Sequence, residues 1–419
     1  MRILWVKVGG LWPPTAGGRI RSLETLSCLS RHHDVTVVTT HGPGDDPEGL
    51  RRRLPHCARI VSIPFVAPRA GTWPFMRALA ASWCTPSPVD LWKWRSKAVF
   101  DEVREQLAGG AIDVCVADFL VAMANIPAAP HVPVVLFEHN VEHMIWQRVA
   151  RLERRPWRRA LLEIEAWKVR QAERRACTAA DLVVAVSEDD RRRLQALAPG
   201  SRCVATPTGV DVTYFQPTTP RREDPHRLVF TGSMDWFPNE DAILFFLDAI
   251  LPRIRAQVPA VTLSVVGRNP SARLRAAAEG AGVVVTGTVD DVRPYVDEAA
   301  VYVVPLRAGG GTRLKIFEAL AMGKAVVSTT VGAEGLDLTH GRDVAIADQP
   351  DEFAQTVIAL LCDPGRRHAL GHAGRLLVQR RYSWEQVSNE FDRCCASVAL
   401  IRDTRSGTPL ALKARQSSS

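Results

Sequence analysis

Short apolar runs recur along this chain, and between them lie longer stretches whose apolar positions return every three or four residues. The runs read as buried strands and the stretches as helices. In the first half the strand-like runs are 3–6, 35–39, 59–64, 113–117, 132–137 and 181–186. Helical patterns fall at 18–31, where Leu23, Leu26 and Leu29 share a face, at 100–107, over a long region interrupted by Pro156, and from Glu188 onward. The second half repeats the rhythm, with runs at 228–231, 261–266, 282–286, 300–304 and 325–328 and helical patterns at 239–257, 271–281, 292–298 and 314–322. Such alternation predicts right-handed βαβ units on a parallel sheet. Two series, parted by the Pro- and charge-rich segment QPTTPRREDP, predict two doubly wound Rossmann-like α/β domains, residues 1–207 and 208–383. An amphipathic helix over 384–401 follows both, and 402–419 reads as a disordered polar tail.

Composition narrows the class. With 46% apolar and 23% charged residues, wholesale disorder is excluded. No run approaches the ~18 apolar residues of a membrane span. Lys7 interrupts the first apolar stretch and no small-residue cleavage site follows, so no signal peptide is expected. The nine cysteines show no C-x-x-C spacing, which predicts reduced thiols in a cytoplasmic protein and no metal site. The net charge of +8 is concentrated: residues 148–175 hold ten basic and four acidic side chains, a local +6. A solvated helix face, a surface for anionic membrane and a nucleic-acid patch compete to explain it. No RNP pattern, zinc-finger spacing or helix-turn-helix supports nucleic acid, so no nucleic-acid partner is expected. The segment 73–94, with Trp73, Trp83, Trp92 and Trp94, reads either as buried packing or as an acceptor-binding loop near a membrane interface.

Open parallel sheets bind ligands beyond the carboxyl ends of their strands. In the first half those ends lead to Gly17-Gly18 and to Glu138-His139-Asn140; in the second, to Gly232-Ser233, Gly267-Arg268-Asn269 and the run 307–315. If the domains face each other, these positions line one cleft. The richest stretch is PLRAGGGTRLKIFEALAMGK. Gly309, Gly310 and Gly311 permit close backbone approach, and a helix opening near Thr312 turns its positive end to the same space, which suits a phosphate. Arg313 and Lys315 add cations where the helix dipole alone disfavours them, so another anion must justify them. Glu318 lies about one and a half turns further on, placed to accept ribose hydroxyls. The competing reading is a Gly-rich turn with a solvated basic first turn. Neither the P-loop nor the G-x-G-x-x-G pattern is present. His139 is the candidate general acid or base, and His143 reads as a helix-surface residue.

Assembled, these residues resemble retaining glycosyltransferases of the GT-B fold, in glycosyltransferase family 4 (group 1), over roughly residues 1–400. The resemblance is strongest at LVFTGSMDWFPN, VVG, VTGTVDDVRPYV and VVPLRAGGGTRLKIFEALAMGKAVVSTTVGAEGL; PTGVDVTYFQP looks like the family's linker, and YSWEQV like its final helix, which returns to the first domain. It implies transfer of a sugar from a nucleotide diphosphate to an acceptor hydroxyl, with retention, without a metal or other cofactor. By position it implies that Glu318 holds the ribose, Arg313 and Lys315 meet the diphosphate, His139 sits beside the transferred sugar, and Gly18 contacts diphosphate and acceptor. Gly232, Ser233, Asn239, Gly267, Arg268, Gly310, Gly311 and Thr312 fall to the donor side, Gly17 and Asn140 to the acceptor side.

Thr208 stands where the family's linker usually has Asn, and three donor-side positions also depart from the family pattern. Gly310 stands where the first Glu of the E-x7-E motif belongs, and Ser233 and Asn239 stand where many members carry Arg and Lys. Arg313 and Lys315 are expected to supply the missing charge. The acceptor expected is a glycan, a lipid-linked glycan or a small molecule, with the basic cluster as a candidate contact to anionic membrane at the inner face. Two other functions fit the same residues: a nucleotide-sugar epimerase or phosphorylase, and a degenerate basic binding module.

Overall fold

A computed structural model describes residues 1–14, 17–69, 71–153, 155–218, 223–280, 282–308 and 314–406, the side chains of Leu152 and of 401–406 excepted. It divides into two compact units, Met1–Pro207 with Ser388 onward, and Thr208–Val387.

The first unit is built on a parallel sheet of β1 (Arg2–Lys7), β2 (Asp34–His41), β3 (Arg59–Pro64), β4 (Val114–Asp118), β5 (Val134–Phe137), β6 (Leu182–Ala185) and β7 (Cys203–Ala205). Their order is β3-β2-β1-β4-β5-β6-β7. The order reverses between β1 and β4, where Lys7 lies opposite Asp118 in register. Both sheet faces are covered, so the central strands are mostly apolar, with β4, β5 and β6 buried at every residue. On one face Ile3, Trp5, Val35 and Val37 pack under the Gly17–Leu29 helix through Leu23, Leu26 and Leu29. Phe391, from the last helix, joins this core, its ring 5.7 Å from Trp5 and 4.6 Å from Phe137. The other face meets Val99, Val103 and Leu107 of the Lys97–Ala108 helix, and Val169 and Ala176 of the Pro156–Ala179 helix.

The second unit carries β8 (Asp224–Thr231), β9 (Thr262–Val266), β10 (Val283–Gly287), β11 (Ala299–Val304), β12 (Ala325–Ser328) and β13 (Ala345–Ile346) in the order β10-β9-β8-β11-β12-β13, all pairs parallel. The reversal falls between β8 and β11. The helix expected over 239–257 is three pieces, Phe237–Phe245, a π-turn at Phe246–Ile250, and Leu251–Gln257. Pro252 removes a backbone donor at that junction, so the ladder must re-form around it. Gly371 and Gly374 bring the Pro364–Arg381 helix close: a Cβ on Gly371 would stand 2.2 Å from the Gly323 carbonyl oxygen, and one on Gly374 2.5 Å from Leu320.

The last helix runs from Trp384 to Ser406. Residues 402–406, expected in the tail, are therefore helical; Arg402–Asp403–Thr404–Arg405–Ser406 holds neither proline nor glycine. Residues 407–419 lie outside the described residues. No helix is long and apolar enough to cross a membrane among the described residues.

Candidate functional site

Each unit concentrates polar side chains at its own point of strand-order reversal, the position where doubly wound sheets hold ligands.

In the first unit β4 ends on Asp118, which is fully buried. Its Oδ2 accepts a hydrogen bond from Trp5 Nε1 at 2.9 Å and faces Lys7 Nζ at 3.1 Å, an ion pair with both side chains buried. Its Oδ1 lies 2.9 Å from His139 Nε2. A carboxylate can only accept, so Nε2 carries the imidazole proton and Nδ1 is left as an acceptor. Burial alone would raise the Asp118 carboxyl; the charge of Lys7 and the His139 hydrogen bond outweigh it and hold Asp118 well below the usual range. Burial pushes His139 down to about 3 against the pull of Asp118, so the ring is neutral at ordinary pH. The ring stacks on Phe119 at 3.9 Å between centroids, and Phe119 takes a positive φ of 75° to reach it. A bulky residue in that backbone region carries strain. Gly18 packs against the same pair: a Cβ there would stand 2.6 Å from Phe119 Cζ and 3.7 Å from His139 Nδ1. Gly17 opens the same helix and is exposed.

Arg21 lies beneath this group. Its guanidinium covers the Phe137 ring at 4.3 Å and donates to the carbonyls of Glu138 and Thr206. Glu138 is buried and its carboxyl oxygens lack hydrogen-bond partners among the described residues. Burial, with Glu173 and Glu142 nearby, raises its carboxyl well above the ordinary value. Asn140 is half-buried beside Glu142. His143, expected on a helix surface, is instead buried and its Nδ1 meets the Glu173 carboxylate. The Glu142–Leu152 helix turns that side toward the Pro156–Ala179 helix, which carries Glu173.

In the second unit β8 leads into Gly232-Ser233 and β9 into Gly267-Arg268. These turns touch: a Cβ on Gly267 would stand 1.8 Å from the Gly232 carbonyl oxygen, so only glycine fits. Lys315, in the Leu314–Ala321 helix, brings Nζ 2.8 Å from Asn239 Oδ1 and 4.1 Å above the Phe230 ring. A Cβ on Gly232 would stand 2.7 Å from that Nζ. Asn239 donates to the Ser233 carbonyl at 2.8 Å, and Arg268 Nε donates to Ser233 Oγ at 2.7 Å. The two positions that lack the family's cations are thus each contacted by one from elsewhere, Ser233 by Arg268 and Asn239 by Lys315. Burial raises the Glu318 carboxyl to about 7 although Lys315 opposes it. Gly310, Gly311, Thr312 and Arg313 lie outside the described residues. Among the described residues no group of His, Cys, Asp and Glu is placed to hold a metal ion.

The sequence reading missed Trp5, Lys7, Asp118 and Phe119. The signal was present: Asp118 is a carboxylate closing an otherwise apolar run, at the end of a central strand.

Two family models match the chain, glycosyltransferase family 4 over residues 17–214 and glycosyl transferases group 1 over 225–363. The chain belongs to the family 4, group 1 glycosyltransferases. It is 33% identical over 229 residues to a phosphatidyl-myo-inositol mannosyltransferase of Mycobacterium tuberculosis, a match spanning 52% of this chain and 59% of that relative. Among solved structures it resembles sucrose-phosphate synthase of Thermosynechococcus elongatus (TM-score 0.68, 18% identity, covering 96% of this chain and 99% of that one). It also resembles the Anabaena protein HepE in complex with UDP and glucose (TM-score 0.62, 14% identity, covering 95% and 100%). The chain has the GT-B fold, with two parallel-sheet α/β units.

Proposed function

We propose that this chain is a retaining, metal-independent glycosyltransferase that moves a sugar from a nucleotide-diphosphate sugar to a hydroxyl of a lipid-linked acceptor. The observation that carries the reading is Lys315 Nζ set over the Gly232 turn, 2.8 Å from Asn239, at the strand-order reversal of the second unit. A cation over a glycine turn fits a diphosphate, whose backbone contacts need the space a Cβ would fill.

In this reading the second unit holds the nucleotide. Lys315 and Arg268 stabilise the departing diphosphate as its charge grows, a fixed field that requires no reorganisation. Glu318 accepts ribose hydroxyls. Arg313, at the head of the same motif, is assigned to the diphosphate with the backbone of Gly310, Gly311 and Thr312. His139, neutral and proton-bearing at Nε2, presents Nδ1 as an acceptor toward a sugar hydroxyl; Gly17 and Asn140 serve the acceptor, and Gly18 both diphosphate and acceptor. No side chain is assigned as nucleophile; the leaving phosphate takes the acceptor proton on the face it departs from.

The lipid-linked acceptor draws support from the mannosyltransferase relatives, whose printed names include a phosphatidylinositol. It also draws support from the surface of the first unit. Trp157, Ile164 and Trp167 are 60%, 53% and 57% exposed on one helix, interleaved with exposed Arg158, Arg159, Arg170 and Arg174. Trp73 and Trp83 of the Trp73–Trp83 helix are also exposed, so the tryptophan-rich segment is only partly core. Apolar rings among arginines suit the interface of an anionic membrane.

The test is turnover of UDP-, GDP-, ADP- and dTDP-sugars with a lipid extract, with and without chelator, the product identified by mass and anomeric configuration. A glycolipid of retained anomer, formed in chelator, is expected. Free epimer or sugar phosphate would replace the reading with the epimerase or phosphorylase.

A further inference from the structure

The first unit holds two adjoining hollows that the roles above do not use. One, of about 250 Å³, lies beside Phe119, whose ring stacks on His139, and is lined by Trp94, Trp146, Asp90 and Glu142. The other is a more open groove of about 470 Å³ whose floor includes Leu91, Leu120, Met123 and Ala176 and whose sides include Arg95 and Arg175. Leu91 and Leu120 line both, so the hollows are neighbours. Along the Pro156–Ala179 helix they extend from Val169 to Ala179, about 15 Å at 1.5 Å per residue.

The two ends differ in chemistry. Aromatic walls with carboxylates at the Phe119 end suit a hydroxylated ring, which offers apolar faces to stack and hydroxyls to donate. The other end has an apolar floor and no acidic residue in its lining. Arg95 rests on the Trp92 ring at 4.4 Å, and Arg175 donates to the Pro86 carbonyl at 3.4 Å. Two guanidinium groups beside an apolar trough match a phosphate carried on a hydrocarbon chain.

We propose that this groove binds the phosphate and the adjoining chain of a phospholipid-type acceptor, with Arg95 and Arg175 as phosphate ligands, and so delivers the acceptor's hydroxylated ring to the hollow beside Phe119. The inference rests on the transferase reading for what the lipid does, but its binding site stands on the first unit alone.

The experiment titrates the full chain with dihexanoyl phosphatidic acid below its micelle concentration, read by calorimetry, with inorganic phosphate and dihexanoylglycerol as separate arms. Saturable binding of the phosphatidic acid is expected, with neither other arm binding at the same concentration. Arg95→Ala with Arg175→Ala should weaken it at least tenfold, and so should Ala179→Trp, which fills the groove from an exposed position. Arg51→Ala with Arg52→Ala, exposed on the Pro47–Arg53 helix, should leave it unchanged. Equal binding in the groove variants, equal binding of inorganic phosphate or of the neutral lipid, or no binding to the wild type would overturn the proposal. Nucleotide-diphosphate binding is measured on the same samples. Nucleotide bound without lipid sinks the groove alone; lipid bound without nucleotide sinks the transferase reading and leaves the groove.

Discussion

Asp118 and His139 form a buried pair, Oδ1 to Nε2 at 2.9 Å, in which the carboxylate fixes which ring nitrogen carries the proton. Lys7 and Trp5 hold the carboxylate from the other side. Asp118→Asn keeps the shape but can present an amide donor to Nε2, which favours the other tautomer. Turnover should fall roughly 10²-fold, the upper end for partners that orient an active group, with the affinity for the nucleotide unchanged. Steady-state kinetics beside nucleotide titration check this; a matching loss of nucleotide affinity would assign Asp118 a structural part only.

The neutral ring also sets a pH dependence. His139 titrates near 3 in the folded protein against an ordinary 6.5. The unfolded chain therefore binds the extra proton between those values, and the stability this group contributes is full above about 6.5 and lost as pH falls toward 3. Proton NMR of the imidazole should show no titration between pH 5 and 8. An inflection near 6.5 would refute the buried, neutral assignment.

Glu318 has the opposite sign. Its carboxyl is raised from 4.5 to about 7, so the folded state holds the extra proton. Its stabilisation is full below about 4.5 and lost as pH rises through 7. Relative to the wild type, Glu318→Gln should gain melting temperature steadily over that window and level off above it. A difference independent of pH would contradict the shift.

Gly18→Ala places a methyl 2.6 Å from Phe119 Cζ. The ring is already pinned between His139 and a strained backbone, so it has little freedom to yield. A loss of about 1–3 kcal/mol is expected from overpacking, together with most of the turnover. Denaturant unfolding and activity measured together check it, and an unperturbed variant would show that Phe119 moves freely.

Much of the fold was legible because buried parallel strands are continuous apolar runs. The runs at 59–64 and 325–328 coincide with β3 and β12 residue for residue. β7 and β13, three and two residues long, are too short to stand out. The Pro364–Arg381 helix hides its period because glycines occupy the positions where it packs. At the site, glycines and cations at strand ends were readable from spacing. The contacts between Arg268 and Ser233, and between Lys315 and Asn239, were not, because each joins residues more than thirty positions apart. Asp118 was not legible as a site residue because its partners Trp5, Lys7 and His139 come from distant stretches of the chain.

The central claim is that the Gly232 turn, with Lys315 above it, binds a nucleotide diphosphate. Calorimetric titration of UDP, GDP, ADP and dTDP into the wild type and Lys315→Ala tests it most directly. Saturable binding of one nucleotide, weakened about 10²-fold in the variant, a loss typical of removing one preorganised charge partner, is the result expected. Binding of equal strength in both proteins, or no binding of any nucleotide, would contradict it.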